Sequence, residues 1–142
     1  MKPTAATTSS PVQEKWWRSP GILYFIAAGR PPIAVKIGVT SRATFLQRFR
    51  SIQSSNHEHL ELLGAIAFDA GDFPMKDCED RERLLHLEFP SLQRFKPYTR
   101  GAEWFTATPE LLAHISGIAT PPEQLDLPRS VGSWITRDDP TV

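Results

Sequence analysis

Residues 34–42 read AVKIGVTSR, and this stretch carries two patterns at once. Val35, Ile37 and Val39 alternate with Lys36 and Gly38, the period of two expected of a half-buried β-strand. Lys36 therefore stands on the face opposite the three aliphatic side chains. Gly38 shares the Lys36 face and leaves it bare, as a glycine inside a strand often does where another backbone or a ligand comes close. Two readings are open at this point: a surface lysine on a solvated sheet face, or a cation standing over a floor cleared for a ligand.

The flanking sequence supplies partners for the strand. GILYFIAAG (residues 21–29) is a second apolar run, and GRPP between the two turns the chain, so an antiparallel hairpin is expected. SRATFLQRFRSIQSS follows, with Phe45, Leu46, Phe49 and Ile52 at helical spacing and Ser41 or Thr44 as N-cap. HLELLGAIAF (59–68) reads as a third strand. FPMKDCEDRERLLHLEF reads as a second helix with acids in its first turns, where the helix dipole favours them. AEWFTATPELLAHI reads as a short strand and then a helix capped by Thr108 with Pro109 at N1. The expected architecture is a small α+β domain over residues 20–116, a three-stranded antiparallel sheet flanked by helices in the order β-β-α-β-α. Residues 1–19 and the proline-rich 117–142 read as disordered tails, with Trp16, Trp17 and Trp134 the side chains able to dock on the domain.

Composition narrows the class. The chain has 142 residues, enough for one domain with a core, and a formal net charge of zero. No apolar run approaches the roughly 20 residues that span a bilayer, and no membrane partner is expected. The first residues lack an apolar segment of the secretory type. A single cysteine, Cys78, excludes an intramolecular disulfide and a multi-cysteine zinc site, and a reducing cytoplasm is the simplest setting. The zero balance hides an asymmetry. From Lys15 to His57 there is no acidic residue, while Lys15, Arg18, Arg30, Lys36, Arg42, Arg48 and Arg50 fall there; the acids gather from Glu58 to Glu88. A local basic surface binds phosphate even on a neutral molecule, although charge runs are more often ordinary solvated faces.

Two helical positions stand out. Cys78, Leu85 and Phe89 share one face of the second helix, and Glu82 falls on that apolar stripe, where a carboxylate is costly without a cation, whether arginine, lysine or metal, to meet it. His86 lies one turn on, within reach of Glu82. Two such ligands are too few to specify zinc. The structural alternatives are a salt bridge from Glu82 to Arg48 and a surface histidine. Arg48, beside Phe45, Phe49 and Ile52, suits a phosphate, which a guanidinium grips with two parallel hydrogen bonds. Tyr24 sits mid-strand, equally compatible with a core tyrosine.

Taken in order, LYFI, VKIGVT, LQRFRSIQ, LELLGAI, ERLLHLEF and EWF resemble the GIY-YIG nuclease superfamily, and within it the compact phage and bacterial branch with a KIG second motif. The resemblance runs from about Gly21 to Ile115. It departs from the superfamily's better-known second motif, which has a tyrosine where this chain has Lys36. The resemblance implies a site on the sheet face where Tyr24 and Lys36 converge, with Arg48 as the arginine of the first helix and Glu82 as the single metal-binding glutamate. The implied chemistry is in-line attack of water on a DNA phosphodiester, with a divalent ion at Glu82, Mg2+ or Mn2+ in its place. Tyr24 or Lys36 takes the water's proton, Arg48 stabilises the phosphoryl charge, and His86 binds the leaving oxygen or orients Glu82. Arg42, Arg48 and Arg50 are the expected DNA-binding residues. The alternative is a DNA-binding module of the same fold that does not cleave.

Overall fold

A computed structural model describes residues 10–94 and 103–131; Trp134 lies outside them. The elements are α1 (Pro11–Arg18), β1 (Gly21–Ala28), β2 (Ala34–Ser41), α2 (Phe45–Ser54), β3 (Leu60–Phe68), α3 (Pro74–Glu88), β4 (Trp104–Thr106) and α4 (Pro109–Ile118). Short 3-10 turns at Arg42–Thr44, Pro90–Leu92 and Pro122–Leu125 join them.

The strands form one sheet in the order β3-β1-β2-β4, with antiparallel pairing throughout. This corrects the expectation of three strands. EWF was read as a strand, but its three strand residues, too few to show alternation, gave no sign that they join the sheet: Lys36 pairs with Trp104, Val35 with Phe105 and Ala34 with Thr106. β1 is buried at every position because it lies between β2 and β3 and has helices on both faces. That is the physical reason its sequence is a continuous apolar run rather than an alternating one.

The two faces carry separate cores. Ile22, Tyr24, Ile26 and Leu62 pack on Phe45 and Phe49 of α2. Leu23, Phe25, Val35, Ile37 and Phe105 pack on Met75, Cys78 and Leu85 of α3 and on Leu111 and Ile115 of α4. The stripe foreseen on α3 is real: Cys78 and Leu85 are buried, and burial pushes the Cys78 thiol up to about 12, as fits an inert core residue. Ser41 accepts from the Thr44 amide and so caps the 3-10 turn that leads into α2, Thr44 at the N-cap of α2 itself makes no side-chain cap bond, and Thr108 accepts from the Leu111 amide as expected.

The segments read as tails are partly structured. α1 buries none of its residues fully, yet Trp16 donates to Glu79 of α3 at 2.8 Å and the Trp17 ring meets Phe73 edge-on at 6.2 Å. At the other end, residues 119–131 cover the outer edge of β3. Ala65 and Thr120 exchange backbone hydrogen bonds at 3.0 and 2.8 Å, and the Leu62 amide donates to the Arg129 carbonyl at 2.7 Å. This hides a row of unpaired backbone groups that an exposed edge strand would offer to other chains.

Candidate active site

The site is built along β2. Ile26, Tyr24 and Ile22 of β1 lie opposite Lys36, Gly38 and Thr40, so these six residues share one face of the sheet. The bare floor at Gly38 is occupied by the protein's own tyrosine. A Cβ placed on Gly38 would stand 2.5 Å from the Tyr24 hydroxyl oxygen and 3.1 Å from a carboxylate oxygen of Glu103. Gly38 is therefore what allows Tyr24 and Glu103 to meet above the strand.

Lys36 completes this corner. Its Nζ is 2.9 Å from Glu103 Oε1 and 5.5 Å from the centre of the Trp104 ring, and its side chain is only 15 % exposed. The lysine is thus neither a free surface group nor a cation over an empty floor. Glu103 was not anticipated. It stands in a turn just before a three-residue strand, where no periodicity marks it; the available signal was the pairing of Lys36 with Trp104, which brings its neighbour alongside β2.

Glu82 and His86 arrive from the other face of the sheet, where β2 runs on past the end of β4. His86 Nε2 donates to the Ile37 carbonyl at 3.0 Å, and its ring lies 5.0 Å from Phe105. That bond fixes the ring against the sheet edge and uses the nitrogen nearest Glu82, whose Oε2 is 3.8 Å away. His86 is accordingly held as a clamp between α3 and β2. Glu82 is half-buried and pairs with no arginine among the described residues, so the salt bridge to Arg48 is not formed. Burial first, and then Glu103 and Glu79, push its carboxyl up to about 7 against the pull of Lys36 and Arg83. A carboxylate that its own neighbours hold near neutrality is characteristic of functional sites.

Tyr24 is fully buried, and burial with the nearby Glu103 and Glu82 charges holds its phenol above the usual tyrosine range. The cation that opposes this shift is Arg48. Arg48 is exposed on α2 and joins Thr40, Thr44, Gln47 and Ser51 around an open pocket of about 280 Å3.

The other two expected DNA-binding arginines do not share this location. The Arg42 guanidinium donates to the Leu125 carbonyl at 3.1 Å, which ties it to the 119–131 segment. Arg50 lies two residues beyond Arg48, about 160° away around the helix, on the opposite flank of α2. The structure thus gathers Tyr24, Lys36, Arg48, Glu82 and His86 with Glu103 around the outer end of β2, and separates Arg42 and Arg50 from them.

The family model described as the T5orf172 domain matches residues 21–118, which spans β1 through α4 and includes every residue of this cluster. The chain belongs to the T5orf172 domain family. Comparison with curated proteins and with solved structures gives no match. Membership is compatible with a nuclease or a DNA-binding role. The T5orf172 domain here ends at Ile118, so the strap over β3 and helix α1 lie outside the matched region.

Among the described residues, no group of three or more His, Cys, Asp or Glu side chains is arranged as a metal cage. The cluster instead offers two acidic side chains, Glu82 and Glu103, and burial together with the Glu103 charge raises the Glu82 carboxyl. That donor set fits a hard divalent cation of the Mg2+ type, which keeps several waters and needs only one or two carboxylates.

Proposed function

We propose that this protein is a metal-dependent endonuclease hydrolysing DNA phosphodiester bonds at the outer end of β2. One observation carries the reading: Tyr24 and Glu103 meet over Gly38, Lys36 pairs with Glu103, and a second carboxylate, Glu82, is held half-buried without an ion-paired lysine or arginine among the described residues, its carboxyl raised to about 7 mainly by burial. A structural ion pair gains nothing from such a carboxylate, whereas a site that recruits a divalent ion does. Glu82, and Glu103 beside it, would hold the ion, which supplies charge neutralisation at the phosphodiester and acidifies bound water.

The chain's own residues divide the remaining work. Lys36 brings the positive charge that a developing phosphorane-like centre requires, and Arg48 bears electrostatically on the Tyr24 hydroxyl from α2. Tyr24, with its phenol held protonated, acts as a hydrogen-bond donor to a phosphoryl oxygen rather than as a base. Glu103, whose side chain is 43 % exposed and is oriented by Lys36, is the group best placed to accept a proton from water. His86 holds α3, and with it Glu82, against the edge of β2.

The second reading, a module of this fold that binds DNA without cutting it, is favoured by one observation, the complete burial of Tyr24. The Glu103→Gln variant separates the two readings. A nuclease is expected to lose about 10²-fold or more in nicking rate while DNA binding in EDTA is kept. Equal binding with no activity in the parent supports the binder.

A further inference from the structure

The Lys36–Gly38 face of β2 continues to Thr40, one more side-chain step of about 7 Å along the strand. There Thr40, Thr44, Gln47, Arg48 and Ser51 line an open polar pocket of about 280 Å3. Its walls are of two kinds. The Thr40 and Thr44 hydroxyls are 3.0 Å apart, and the Ser41 hydroxyl sits 2.6 Å from that of Thr44, so the strand side is fixed by its own hydrogen bonds. On the helix side, the side chains of Gln47, Arg48 and Ser51 make no hydrogen bond or ion pair among the described residues. They occupy adjacent positions of one helix face, since residues three and four apart are neighbours.

We propose that this pocket binds a backbone phosphate of the DNA strand adjacent to the one processed at Gly38, and so sets the direction in which the strand crosses the domain. This inference rests on the nuclease reading and extends it. The lining holds one guanidinium, several neutral donors and no carboxylate. That inventory suits a tetrahedral anion that accepts several hydrogen bonds at once, and it repels nothing a phosphodiester carries. The row of Lys36, Gly38 and Thr40 leads from the acidic cluster directly into the pocket. A strand held at both points runs along β2 and over the Gln47–Ser51 flank of α2, and it leaves Arg50 on the far flank untouched.

The test measures DNA binding by fluorescence anisotropy in EDTA, using a labelled duplex and the full chain. Ser51→Glu is expected to weaken binding by roughly tenfold, and Ser51→Arg to tighten it by roughly threefold. Arg50→Glu is expected to change it by less than about threefold. Misfolding cannot produce the tightening, so the opposed pair keeps the result interpretable. If the parent binds and nicks DNA but the Ser51 variants bind as it does, the pocket assignment is overturned and the nuclease reading stands. The same holds if Arg50→Glu weakens binding as much as Ser51→Glu. If the parent neither binds nor nicks DNA, the nuclease reading is overturned and the pocket assignment with it.

Discussion

Gly38 shows how one missing atom shapes the site. Its hydrogen is the space into which the Tyr24 hydroxyl fits, and the Tyr24 ring is itself confined by Phe45 at 5.7 Å. Gly38→Ala is expected to destabilise the domain by about 1–3 kcal/mol, since an added methyl in a packed site forces side chains off their minima. Adding Tyr24→Phe is expected to recover part of that loss, because the two substitutions share the same clash; denaturant unfolding of the three variants checks this. Glu82 yields a pH prediction of definite sign. Its carboxyl rises from an ordinary 4.5 to about 7 in the fold, so the folded chain holds the proton more tightly than the unfolded one. Ionisation therefore costs stability progressively from about pH 4.5 upward and levels off above about 7. Glu82→Gln, a neutral mimic, is expected to match the parent near pH 4.5 and to be more stable by about 2–3 kcal/mol at pH 8. Melting curves across that range check the sign. The sequence showed that Glu82 was misplaced on an apolar stripe; it could not show that Glu103 pairs with Lys36 nearby, because that contact depends on where a turn between distant elements falls.

At the scale of elements, what periodicity encodes was legible and what backbone pairing encodes was not. β1 is a continuous apolar run, and β2, β3 and helices α2, α3 and α4 bury only some of their side chains, so both signals survive in the sequence. β4 is too short for a pattern. α1 buries no residue fully and docks by individual contacts from Trp16 and Trp17. The 119–131 strap attaches through main-chain hydrogen bonds, which leave no trace in hydrophobic spacing. Gly64 marks its seat: a Cβ there would lie 2.8 Å from the Thr120 carbonyl oxygen and 2.9 Å from Ala119 Cβ. Because the nearest atom is backbone, the strap must lift to make room. Gly64→Val is expected to cost about 1–3 kcal/mol and to speed hydrogen exchange at the Leu62 and Ala65 amides, which the strap protects.

For the whole molecule, charge placement matters more than charge total. The net charge is zero, and Glu82 of α3 feels the charge of Lys36 on β2. Arg42 is bound to the strap and Arg50 faces away, which leaves Lys36 and Arg48 to meet phosphates at the site. Two neutralised phosphates predict a slope of about −1.8 in log affinity against log salt, a loss of roughly tenfold between 50 and 200 mM. A slope of about −6 would show instead that the entire basic stretch engages DNA. Modest affinity of this kind is compatible with a cutting site whose specificity comes from the geometry around Gly38. The measurement that bears most directly on that site is nicking of supercoiled plasmid in Mg2+ or Mn2+ by the parent and by Glu82→Ala, both first shown to be folded and to bind DNA in EDTA. Metal-dependent nicking by the parent that disappears in Glu82→Ala is the predicted result. Binding by both proteins with no nicking by the parent, or nicking that survives in Glu82→Ala, contradicts it.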